Sequence, residues 1–170
     1  MPDSYIVFSH GKDGEPWGSK ITAMAEIARR HHLDVESVDY RGMDDPAMRV
    51  QRLLEVCRGL PGPVLLVGSS LGAHVAAAVS ARIPTRGMFL LAPAFFMRGY
   101  EQYTPTPAHC PVTIVHGWND DVVPVENSIR YAQQYKSTLH VIDSDHRLTA
   151  NIDEVCELLD RFLRRVLAAH

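Results

Sequence analysis

Gly68-Ser69-Ser70-Leu71-Gly72 stands between a short apolar run and a helix-favouring run, and it restricts the possible folds more than any other stretch. It fits the pattern G-x-S-x-G, in which a serine rides a very tight turn from a strand into a helix, the nucleophile elbow. Glycine is needed two residues to either side because a side chain there would collide with the strand and helix that crowd the turn. Only Ser70 has glycine at both flanking positions, so Ser69 is the variable residue. The serine of such a turn is expected in strained backbone geometry, at a cost of about 1–3 kcal/mol.

Upstream, Pro63-Val64-Leu65-Leu66-Val67 follows Pro61-Gly62 and suits a strand buried on both faces of a parallel sheet. Downstream, residues 73–82 are small and helix-favouring, with Pro84 to end the helix. Small side chains let that helix lie close on the sheet. Its first turn then directs backbone N–H groups at the serine, where they favour a developing negative charge.

The same alternation recurs along the chain. Strand-like runs at 5–8, 35–38, 64–67, 88–91, 112–115 and 139–142 are separated by helical segments near 19–31, 45–58, 71–82, 125–135 and 151–167. Short loops between them predict one doubly wound α/β domain over residues 1–170, with a mostly parallel six-stranded sheet and helices on both faces. In such sheets ligands bind beyond the carboxyl ends of the strands. The polar residues follow that rule: Ser9-His10-Gly11-Lys12 comes after the first strand and Ser70 after the third. His116 to Asp121 closes the fifth, and Asp143-Ser144-Asp145-His146 follows the sixth.

A serine hydroxyl needs a base to become a nucleophile, normally a histidine that a carboxylate orients. Ser70, Asp120 or Asp121, and His146 occur in the order Ser, acid, His, each just past a predicted strand. Composition points the same way by exclusion. A net charge of −3 with no basic stripe argues against nucleic acid as partner. No apolar run approaches the ~20 residues that span a bilayer, and the start Met1-Pro2-Asp3-Ser4 is unlike a signal peptide. Cys57, Cys110 and Cys156 form no metal pattern or disulfide framework, so reduced thiols and a cytoplasmic location are expected.

Gly68-Ser69-Ser70-Leu71-Gly72, His116-Gly117-x-x-Asp120-x-x-Val123-Pro124 and the late Asp145-His146 together resemble the α/β-hydrolase superfamily, most of all its small bacterial esterases and thioesterases without a cap domain. The resemblance runs from Tyr5 to about Leu167. It implies Asp120 rather than Asp121 as the acid, by its place three residues before the Val-Pro pair. It also implies an oxyanion hole from the backbone N–H groups of Lys12, after His10-Gly11, and of Leu71, after the nucleophile. Glycine often precedes the family's histidine, whereas Ser144-Asp145 stands here. The implied activity is hydrolysis of a small-molecule acyl ester or thioester, with no metal or organic cofactor. Two alternatives are a peptidase or amidase of the same superfamily and a non-catalytic binding protein that keeps the fold.

Residues 92–111, where larger relatives insert a cap, leave room for a loop and at most one short helix, so an open site is expected. Within it Phe95, Phe96, Met97 and Tyr100 fit two readings, an apolar wall for an acyl chain or a face packed on the sheet. Trp118 either lines the site or braces the acid loop. His10 and His116 are read as structural, holding loops through ring hydrogen bonds, and His74 as a packed helix position.

Overall fold

The computed structural model describes residues 4–99 and 103–169. Strands β1 (Tyr5–Ser9), β2 (Asp34–Val38), β3 (Val64–Ser69), β4 (Thr85–Leu91), β5 (Val112–Gly117) and β6 (Thr138–Ile142) alternate with helices α1 (Ser19–Arg30), α2 (Pro46–Arg58), α3 (Leu71–Ser80), α4 (Val125–Tyr135) and α5 (Ile152–Ala168). Only β4 and β5 are joined without an intervening helix among these elements. The six strands form one sheet in the order β2-β1-β3-β4-β5-β6. Every pairing is parallel, so the expectation of a mostly parallel sheet sharpens to an entirely parallel one.

Apolar residues alternate between two cores because successive strand side chains point to opposite faces. Val64 and Leu66 join Leu53, Leu54, Ala76, Val79 and Tyr131 on the face covered by α2, α3 and α4. Leu65 and Val67 join Met24, Ala28, Leu159 and Phe162 on the face covered by α1 and α5. A strand buried on both sides must be apolar throughout, which is why β3 reads as a continuous hydrophobic run. At α2, Pro46 occupies the first turn while the Asp45 carboxylate accepts from the Ala47 N–H at 2.9 Å, a start signal written plainly in the sequence.

Chain order reverses between β1 and β3, the switch point past whose carboxyl ends open α/β sheets bind ligands. Residues 92–99 and 103–111, which lie between the carboxyl end of β4 and the amino end of β5, contain no α-helix. They are tied down instead by single bonds: Ala108 N–H to Ser80 Oγ (2.8 Å), Phe96 N–H to Thr104 Oγ1 (2.8 Å) and Tyr131 O–H to the Pro105 carbonyl (3.0 Å). Tyr100 lies outside the described residues. No helix among those described is long and apolar enough to cross a membrane.

Candidate active site

Ser70 sits between the end of β3 and the start of α3 with φ 54° and ψ −117°. Few non-glycine residues occupy such geometry, and the surroundings over-determine it. Its N–H donates to the Leu91 carbonyl (2.9 Å), and its own carbonyl accepts from Ala73 and Ala94 (both 3.1 Å). The flanking glycines are obligatory for the reason the motif suggests. A Cβ on Gly68 would stand 2.5 Å from the Ala73 Cα, and one on Gly72 would run into the carbonyl oxygens of Ser9 and His10.

Ser70 Oγ lies 3.0 Å from His146 Nε2, and His146 Nδ1 lies 2.7 Å from Asp120 Oδ2. A carboxylate only accepts, so the ring proton is on Nδ1 and the Nε2 lone pair faces the hydroxyl. Asp120 is the acid in contact and its side chain is fully buried, whereas Asp121 is exposed. Asp120 Oδ1 accepts from the N–H groups of Val122 (2.8 Å) and Val123 (2.7 Å), which hold the carboxylate in one orientation. The glycine before this loop is also forced: a Cβ on Gly117 would strike the Ser144 carbonyl, which itself accepts from Asn119 N–H at 3.0 Å. The loops bearing Asp120 and His146 are thereby pressed together. Asp145 does not contact His146 in any hydrogen bond described; its Oδ1 accepts from Arg147 N–H (3.1 Å) and Leu148 N–H (3.0 Å) and closes the turn behind the imidazole.

His116 and His10 both act as braces. His116 Nε2–H donates to the Val123 carbonyl (2.8 Å) and stands 3.0 Å from Asp120 Oδ2, while Nδ1 accepts from the Ser128 hydroxyl (2.7 Å). Burial lowers its pKa, more than the Val123 carbonyl and the Asp120 charge raise it. A neutral His116 leaves the Asp120 charge for His146. His10 Nδ1–H donates to the Gly11 carbonyl (2.8 Å), and Nε2 accepts from Tyr40 N–H (2.9 Å). Its pKa is likewise lowered, chiefly by burial.

Gly11 packs directly on the elbow, where an added Cβ would meet the Ser69 carbonyl at 3.4 Å and the Ser70 Cβ at 3.6 Å. Lys12 follows it, and Leu71 is the first residue of α3, whose N–H has no acceptor within the helix. Of the two donors implied by resemblance, Leu71 adjoins Ser70 in the chain, and Lys12 follows the glycine that packs on the elbow. The thiols are poor rivals as nucleophiles, since burial pushes Cys57 up to about 12, Cys110 up to about 11, and Cys156 upward.

The apolar residues after β4 divide. Phe95 is fully buried, its ring stacked on Tyr131 at 3.9 Å between centroids. The reading of Phe95 as an acyl-pocket wall is therefore corrected: a ring with no free surface cannot touch substrate. Phe96 is half-buried under the Arg130 guanidinium, 3.9 Å from the ring centroid. Met97 is also half-buried, and Trp118 is 59% exposed on the acid loop.

Some neighbours of the site escaped sequence reasoning. Tyr40 and Ser9 form a chain in which the phenol bonds Ser9 Oγ (2.9 Å) and Ser9 Oγ donates to the Gly72 carbonyl (2.8 Å). Lys20 Nζ donates to Ser69 Oγ at 3.3 Å, and Arg49 is buried beneath the loop after β1. Arg49 had a legible signal, because it shares the apolar helix stripe with Leu53 and Cys57 at four-residue spacing.

Ser70, His146 and Asp120 thus come from three different loops at the carboxyl rim of a parallel sheet, the architecture of an α/β-type hydrolase. The chain belongs to the alpha/beta hydrolase family, whose model matches residues 6–169. It superimposes with a TM-score of 0.90 on a protein of the alpha/beta hydrolase superfamily from Xanthomonas campestris pv. campestris, at 33% identity over 97% of this chain and 99% of the other. Est1E from Butyrivibrio proteoclasticus shares the fold at a TM-score of 0.85 and 19% identity, covering 98% of this chain and 89% of that one. A stretch of 55 residues is 40% identical to the mitochondrial palmitoyl-protein thioesterase ABHD10 of Bos taurus; it spans 30% of this chain and only 18% of that protein.

Proposed function

We propose that this chain is a serine hydrolase that cleaves carboxylic esters or thioesters through an acyl-enzyme, with Ser70 as nucleophile, His146 as base and Asp120 as acid. The observation that carries the reading is the unbroken line from Ser70 Oγ to His146 Nε2 (3.0 Å) and from Nδ1 to Asp120 Oδ2 (2.7 Å). Ser70 Oγ attacks the acyl carbon while its proton passes to Nε2. The carbonyl electrons move onto oxygen, which the N–H groups of Lys12 and Leu71 receive; such a donor contributes about 10²–10³ in rate. The imidazolium lies against Asp120 until the alcohol or thiol departs with the Nε2 proton. Water then repeats the sequence on the acyl-enzyme, releasing the acid.

Esters and thioesters are favoured over amides because Trp118, at 59% exposure, and the short segment between β4 and β5 leave little to enclose a substrate. An amide needs tighter positioning and protonation of a poorer leaving group. Thioesters stay in the reading because the partial match to a palmitoyl-protein thioesterase favours them. A binding-only protein would have no use for the strained backbone of Ser70.

The test is to expose the pure protein to a fluorophosphonate and weigh it, then compare rates on acyl esters and acyl thioesters of increasing chain length. One adduct on Ser70 is expected, and Ser70→Ala should abolish it and lower kcat by about 10⁶. Protein that stays unmodified at excess reagent would sink the enzymatic reading.

A further inference from the structure

Arg49 is the largest fully buried side chain among the described residues, at 1% exposure, and the chemistry proposed above makes no direct use of it. Among the described residues no carboxylate forms an ion pair with it, and Asp44 and Asp13 act on it only through longer-range attraction. Burying a guanidinium without a counter-ion is costly, and an aliphatic side chain would fill the same place in the α2 stripe without that cost. Three of the four hydrogen bonds that Arg49 makes among the described residues go to the loop after β1. Nη1 donates to the carbonyls of His10 (3.1 Å) and Gly11 (3.2 Å), and Nη2 to that of Lys12 (3.2 Å). Nε donates to the Met43 carbonyl (2.8 Å), which anchors the guanidinium from behind.

A trans peptide points its carbonyl and the next N–H in opposite directions. The Gly11 carbonyl is held by Arg49 Nη1, by His10 Nδ1–H (2.8 Å) and by Gly14 N–H (3.2 Å). With the carbonyl fixed on that side, the Lys12 N–H of the same peptide is fixed on the other. A cation on the carbonyl also polarises the peptide and strengthens that N–H as a donor. The guanidinium lies 5.0 Å from the centroid of Tyr40, whose hydroxyl reaches Gly72 through Ser9 Oγ. Both flanks of Ser70, the loop after β1 and the first turn of α3, are thus tied to one assembly.

We propose that Arg49 is a positioning residue of the oxyanion hole: it orients and polarises the Gly11–Lys12 peptide so that the Lys12 N–H meets the charge that develops on the substrate oxygen. The inference rests on the serine-hydrolase reading and adds to it the origin of the hole's geometry. Arg49 acts on the transition state through the peptide and not on ground-state binding, so its removal should separate kcat from KM.

The experiment compares wild type, Arg49→Met and Arg49→Lys on a p-nitrophenyl ester, with circular dichroism to verify folding and a trifluoromethyl ketone as mimic of the tetrahedral oxyanion. Removing a full oxyanion donor costs about 10²–10³ in kcat, so a misaimed one should cost about 10²-fold in Arg49→Met, with KM within about threefold. Inhibitor affinity should weaken in proportion, and the pH at which the rate is half-maximal should stay put because His146 and Asp120 are untouched. Should Arg49→Met fail to fold, Arg49→Lys decides alone. A lysine keeps the charge but cannot fork to three carbonyls, so about a tenfold loss in both kcat and inhibitor affinity is expected. A folded variant with full kcat, or one that loses rate without losing inhibitor affinity, overturns the inference. Wild type without Ser70-dependent hydrolysis overturns the serine-hydrolase reading along with it, whereas active wild type beside fully active Arg49 variants overturns this inference only.

Discussion

Two buried ionic groups stand behind Ser70, one on each side, and the protein solvates them in opposite ways. Asp120 receives N–H groups from Val122, Val123 and the His146 ring, while Arg49 gives its own N–H groups to the carbonyls of His10, Gly11, Lys12 and Met43. The partner of Asp120 can gain a charge; the partners of Arg49 are peptide dipoles that cannot. In the proposed reaction the anion therefore answers the movement of a proton, and the cation holds a shape. The same distinction separates the two bracing histidines, His116 beside the anion and His10 beside the cation.

Substitutions can break the comparison at either side. The largest effect is expected from Asp120→Asn, which keeps the shape but favours the wrong ring tautomer of His146 and should lower kcat by about 10⁴, well beyond the loss at Arg49. Steady-state ester hydrolysis measures it, and a loss below tenfold would remove Asp120 from the relay. Gly72→Ala, which drives a methyl group into the carbonyls of Ser9 and His10 beneath the cationic side, should lower stability by about 3 kcal/mol in urea unfolding. The same change at Gly62, where nothing lies within 4 Å of an added Cβ, should be close to neutral.

Acid attacks both sides together. His10, His74 and His116 have pKa values lowered, each chiefly by burial, so the folded chain binds fewer protons than the unfolded one just below the ordinary histidine value. Stability conferred this way is complete above about pH 6.5 and declines as pH falls below it. Thermal melts from pH 7.5 to 5 should show Tm falling on the acid side; a level Tm would mean that these rings accept protons without loss of their bonds. The smallest effect is expected at Asp121→Asn, an exposed neighbour of the acid, with stability within about 0.5 kcal/mol of wild type and kcat unchanged.

Much of the architecture was legible because parallel α/β chains carry it in local signals. Short apolar and β-branched runs placed all six strands, although β4 begins at Thr85, earlier than its most hydrophobic residues suggest. The order of the strands was not legible, since it depends on which crossover goes which way. At the site, Ser70, Asp120 and His146 could be read from motif and spacing, and the structure brings their side chains together. Phe95 could not, because it is defined by what it meets across the fold, and for Arg49 the apolar stripe of α2 carried its burial but not its partners. A charge in an apolar helix stripe does not name the groups it will meet, and an aromatic ring near a site reads as lining until its stacking partner covers it.

The left-handed backbone of Ser70 carries a consequence for durability. Glycine tolerates that conformation at little cost, so the residue that makes the chain a proposed catalyst is also one where the fold would gain from losing it. Selection for robustness alone would drift towards an inert, sturdier molecule, and only a demand for turnover keeps the spring wound.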